Sequence, residues 1–177
     1  MKKIAIISLI IIFIFFIGTF NEEEVIIPNE AIRLRVIANS NSEYDQKMKV
    51  KVKDKVQTDV YNLLEEVNEI NEAKNIIKDN INYFDNNLTM FLKKENYNLK
   101  HKIIFENHFF KNKIERGINY KEGNYEAVVV TLGKGQGNNW WCILFPPLCL
   151  LEAKEATNIE YKFFIKELLK GYFNKMN

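Results

Sequence analysis

The spacing of apolar residues divides this chain into segments of two periods. Over residues 31–38, Ile32, Leu34 and Val36 alternate with Arg33, Arg35 and Ile37, a period of two that predicts a strand with two unlike faces. Polar residues 39–42 turn the chain, and Ser42 with Asp45 three positions on has the form of a helix N-cap. Met48, Val52, Val56, Val60, Leu63 and Val67 then recur at steps of three and four, which predicts a long amphipathic helix. Ile70, Ala73, Ile77, Ile81, Phe84, Leu88 and Phe91 keep that spacing, so a second helix follows and an antiparallel helical hairpin is expected.

Beyond Leu99 the period returns to two. Ile103, Phe105 and Phe109 predict one strand, the valine-rich residues 125–132 a buried one, and residues 140–145 a last one that Pro146 and Pro147 stop. Residues 116–124, with Gly117 and Gly123, read as a loop, and Gly133, Gly135 and Gly137 as a hairpin turn. Tyr161, Phe164, Ile165, Leu168 and Leu169 mark a C-terminal helix from Asn158. The order β-α-α-β-β-β-α predicts an α+β fold, helices covering one face of a small sheet of about four strands.

A length of 177 residues suits one domain and a leader better than two domains. The leader is an uncharged run over residues 4–20, preceded by Lys2 and Lys3 and followed by Glu22, Glu23 and Glu24. It spans roughly 25 Å as a helix, slightly less than an about 30 Å hydrocarbon core, so cleaved signal peptide and retained membrane anchor both stay open. The expected organisation is a leader over 1–21, an acidic linker with Pro28 over 22–30, and one α+β domain over 31–177. The basic flank holds the N-terminus in the cytoplasm and puts the domain outside.

Charge and candidate chemistry narrow the function further. Lys and Arg number 25 against 23 Asp and Glu, a net charge of +2 that makes no nucleic-acid surface. Cys142 and Cys149 fall in the exported part, where a disulfide around the Pro146-Pro147 turn is allowed and two free thiols are the alternative. A Cys–His dyad with His108 has nothing in the sequence to assemble it. The spacings of His101 to His108 and Cys142 to Cys149 match no common zinc pattern. The glycines around Lys134 lack the order of a Walker loop and lead into tryptophans instead of a helix. No metal, cofactor or small-molecule substrate is therefore implied. More informative are Trp140 and Trp141, which on a strand point to opposite faces. One indole can then enter the core while the other is available to a partner, beside Phe145, Pro146 and Pro147; partial burial of both indoles is the alternative. Asn39, Ser40 and Asn139 complete the expected partner-binding set, although a capped strand-to-helix turn explains the first two as well.

Several of these blocks are familiar. Ile32-Arg33-Leu34-Arg35-Val36-Ile37-Ala38-Asn39-Ser40, the pair Asp45-Gln46 with Lys49, Val52 and Asp54, Gly123-x-Tyr125-Glu126-Ala127, and Asn139-Trp140-Trp141-Cys142-x-Leu144-Phe145-Pro146-Pro147-Leu148-Cys149 resemble the stage II sporulation protein R family. The likeness covers nearly all of the chain beyond the leader. Arg35 stands where that family usually has His, Asn41 where it has Asp, and Phe109-Phe110-Lys111 where it has a Phe-Pro turn. The resemblance implies a non-enzymatic signal exported from the forespore into the space between forespore and mother-cell membranes. Its implied partner is a membrane-embedded aspartic peptidase that matures the precursor of sigma-E. A cell-wall hydrolase, or a peptidoglycan-binding module stacking sugars on the tryptophans, is the alternative.

Overall fold

The computed structural model describes residues 27–115, 118–150 and 158–173; the leader lies outside them. No helix among the described residues is long and apolar enough to cross a membrane. The elements run β1 (Ile32–Ile37), α1 (Glu43–Leu64), α2 (Ile70–Asp79), α3 (Ile81–Lys94), β2 (His101–Phe110), β3 (Lys113–Glu115), β4 (Ile118–Tyr120), β5 (Gly123–Leu132), β6 (Asn139–Phe145), a 3₁₀ turn at Leu148–Leu150, and α4 (Asn158–Phe173). The fold is α+β, as the periodicity predicts.

Four strands form the main sheet in the order β2-β5-β1-β6. The first strand of the chain is thus central. It runs parallel to β5, with Arg33 opposite Ala127, and antiparallel to β6, with Val36 opposite Trp140. This corrects one expectation. Gly133 and Gly135 do adopt positive φ, at 54° and 63°, but their turn is no hairpin, because β1 lies between the strands it connects.

The alternation along β1 separates two cores. Ile32, Leu34 and Val36, with Val128, Val130, Leu132, Cys142 and Leu144, pack beneath the apolar stripes of α1, α2 and α3. Each such side chain, fully buried, contributes about 1.5–3 kcal/mol. The opposite face carries Arg33, Ile143 and Val129, and α4 covers part of it through Ile165 and Leu169. Helices therefore cover both faces. Ile27 is also buried there, so the domain begins inside the segment expected to be a free linker.

Two further elements differ from the periodicity. The second helix is split at Asn80, whose side chain donates to the Ile76 carbonyl at 2.8 Å while its backbone N–H reaches Ile76 and Ile77. That local competition for carbonyls ends α2, and α3 restarts at Ile81. Part of the expected loop over 116–124 is β4, which pairs with β3 as a short ribbon and buries Ile118 and Tyr120. At the end of α3, Asn96 takes φ 55° and its N–H meets the Lys93 carbonyl, while Tyr97 N–H meets that of Leu92. This αL cap aims Tyr97 back towards α1.

Candidate functional site

Chain reversal after β1 creates the main polar cluster. Asp45, in the first turn of α1, is 5% exposed. Ser40 Oγ donates to its Oδ2 at 2.6 Å, Asn39 Nδ2 to the same oxygen at 2.8 Å, and Tyr97 OH to Oδ1 at 3.2 Å. Its own N–H donates to Ser42 Oγ at 3.2 Å, which is the N-cap that the sequence predicts. Burial disfavours the charge, but the hydrogen bonds from Ser40, Asn39, Tyr97 and Ser42 prevail and hold the carboxyl below its ordinary value. Burial and the Asp45 charge push the Tyr97 phenol up.

The glycine turn after β5 closes over this cluster. Lys134 N–H donates to Asn39 Oδ1 at 3.0 Å and Asn138 N–H to Asn41 Oδ1 at 2.7 Å. Gln136 and Gly137 N–H reach the carbonyls of Asn39 and Ala38. Buried Lys49 spans the two loops, donating to Gln46 Oε1 at 2.6 Å and to the Asn138 carbonyl at 3.2 Å. Contact is so close that a Cβ on Gly137 would stand 2.2 Å from the Ser40 carbonyl oxygen. The polar groups here satisfy one another and tie two loops across the end of the central strand.

A second cluster occupies the other face. Arg33 is fully buried, its guanidinium stacked 3.5 Å from the Tyr125 ring centroid and 4.8 Å from those of Phe110 and Trp141. Nη2 donates to the Lys121 carbonyl at 3.3 Å, whereas Nε and Nη1 have no hydrogen-bond partner. Burial lowers Arg33 to about 10, against the opposing pull of Tyr125 and Tyr120. Arg35 lies over Phe110 at 4.1 Å and donates to the Phe109 carbonyl at 3.0 Å. Cation–π attraction takes the place of the ion pair that a buried arginine usually finds.

The expected partner-binding residues are divided between the two ends of β6. Asn39, Ser40, Asn139 and Trp140 come together at the end closed by the glycine turn, with Asn139 opposite Ile37. Phe145 lies opposite Ile32 at the far end, about 20 Å away for a strand of this length. Phe145 is 2% exposed and meets Tyr172 edge-on at 4.9 Å. Pro146 is buried and Pro147 half-buried. Trp141 is half-buried among Arg33, Phe110, Tyr120 and Lys113. Trp140, also half-buried, packs on the helical core beneath Lys53, whose Nζ is 4.9 Å from its ring centroid. Trp141 meets the rings of Phe110 and Tyr120 edge-on, while Trp140 packs against the helical core.

Cys142 and Cys149 form a disulfide across the Pro146-Pro147 turn, which leaves no thiol for a dyad with His108. His101 lies on the helical face, 3.1 Å from Asp85 Oδ1, while His108, seven positions on, points to the other face beside Phe110. The two imidazoles cannot share a metal, and no group of three or more His, Cys, Asp or Glu able to hold one occurs among the described residues. Sequence reasoning missed the Arg33 stack and the bond from Tyr97 to Asp45. The available signal was a pair of arginines alternating with core residues on an otherwise apolar strand, which requires a second covered face.

Fold and clusters together define an α+β domain built on a four-stranded sheet, whose polar groups fasten loops. Residues 28–155 match the family model of stage II sporulation protein R. The chain is 35% identical over 138 residues to stage II sporulation protein R of Bacillus subtilis (strain 168), covering 78% of this chain and 62% of that relative's length. No solved structure matches the chain. The chain thus falls within a family of sporulation proteins. It belongs to the stage II sporulation protein R family.

Proposed function

We propose that this protein is an exported sporulation signal that activates a membrane-embedded aspartic peptidase in the mother-cell membrane, triggering maturation of the sigma-E precursor. Family membership carries the reading. The basic-then-apolar leader over residues 1–21 supports it by supplying a route across the forespore membrane into the intermembrane space. The mechanism is differential binding: the domain stabilises the active state of the peptidase, and can shift it only by as much as it prefers that state. Trp140, with Asn139 beside it and the fixed Asn39–Ser40 turn behind, is the contact that this reading favours. Phe145 and Pro146 act from within, by shaping the far end of β6.

Co-expression of this chain, the peptidase and the sigma-factor precursor in a non-sporulating host tests the proposal. Precursor cleavage that requires both this chain and residues 1–20 is the expected result. Absence of cleavage, with all three proteins made and this one exported, would remove the reading and favour a cell-wall role. Trp140→Ala is expected to abolish signalling while the domain stays folded by circular dichroism. Trp141→Ala is expected to lower stability by about 3 kcal/mol through the cavity it leaves.

A further inference from the structure

We infer that two copies of this chain associate through the outer edge of β2, pairing antiparallel about a two-fold axis at Ile104 to make one eight-stranded sheet. The inference does not depend on the identity of the signalling partner.

β2 is an edge strand of ten residues, and among the described residues β5 alone pairs with it. It has no proline, glycine or register shift, the devices that usually blunt such an edge. Only charge remains to protect it. Lys102 and Glu106 are both exposed, with no ion-pair partner among the described residues, and both lie on the face that carries Ile104.

Those charges select one register. An axis through Ile104 sets Lys102 of each copy opposite Glu106 of the other, so two like-charged edges become complementary twice over. The same register places Ile104 against Ile104 and, on the helical face, Ile103 against Phe105. Two residues before the strand it sets Leu99, 43% exposed, opposite Phe109, 52% exposed. Two of the large apolar residues left bare on the monomer thereby cover each other. Backbone geometry permits the register, because partners about a residue-centred axis share parity and the outward-facing amides of one copy meet those of the other. Opposite-charge and apolar cross-strand pairs of this kind each stabilise a sheet, and like charges in the same positions oppose it.

Ile104→Cys in the full chain tests the inference, since Cys142 and Cys149 are bonded to each other and the new thiol would be the one free to react. Mild oxidation is expected to give a disulfide-linked dimer about tenfold faster than in Lys170→Cys, on α4 at the opposite edge of the sheet. Lys102→Glu is expected to slow that cross-linking about tenfold, and Glu106→Lys likewise, because each sets like charges opposite one another at two places. The double reversal, Lys102→Glu with Glu106→Lys, is expected to restore it. Cross-linking no faster than the control, capture of another protein instead of a second copy, or a double reversal as slow as the single ones would overturn the pairing.

Discussion

Asp45 shows how a single residue can hold a loop geometry. Three donors from two separate stretches of chain, the Asn39–Ser40 turn and Tyr97, converge on one buried carboxylate. Its depressed pKa means that folding favours the charged form. The stability it supplies is therefore complete above the unfolded value of 3.8 and is lost as pH falls through the lower folded value. Asp45→Asn is expected to cost about 2 kcal/mol at neutral pH in urea unfolding. The gap between variant and parent should narrow as pH falls below 3.8, a trend that a purely steric role for Asp45 would not produce. Arg33 sets a different balance at the same scale, since three rings and one carbonyl stand in for a counter-ion.

Among the elements, the glycine turn after β5 is closely packed, with a Cβ at Gly133, Gly135 or Gly137 standing under 3 Å from its neighbours. Gly137→Ala is expected to destabilise the fold by about 3 kcal/mol, because the added methyl would meet the backbone of Ser40 and not a side chain able to swing away. Thermal unfolding of this variant beside Gly171→Ala, where a Cβ meets nothing, checks the assignment. Sequence periodicity made the strands β1 and β2 and the helical face legible, while β5 was visible as a valine-rich run and β6 as an apolar run stopped by Pro146 and Pro147. It did not reveal which strand lies beside which. The turn at residues 133–137 looks like a hairpin locally, and only the closure of β1 between its arms, a long-range pairing, decides otherwise. Asn80 and the β3–β4 ribbon were hidden for a related reason: a single helix break and three-residue strands are too short to alter a period. As for the site, Asn39 and Ser40 were visible as a turn and Trp140 and Trp141 as opposed indoles. Their union at one end of β6, and the burial of Phe145 at the other, depend on packing.

At the scale of the whole molecule, the Cys142–Cys149 bridge is a local fastening that joins β6 to the 3₁₀ turn across a sequence separation of 7. Reduction is expected to lower unfolding stability by about 2.5 kcal/mol, from the entropy that so short a loop returns to the unfolded chain. The sheet itself should persist, so far-ultraviolet circular dichroism in reductant ought to stay native while the urea midpoint falls. The central place of β1 has a consequence for the order of events when the protein is made. Ile32, Leu34 and Val36 leave the ribosome early, yet both of their neighbours in the ladder lie at Ala127 and later. A nascent chain that stops short of β5 can form helices but has no partner for its first strand, and assembly must wait for the last third of synthesis. The interval during which the central strand waits unpaired is set by the length of chain between β1 and β5, so any lesion that prolongs it exposes the protein to proteases before it has a fold to lose.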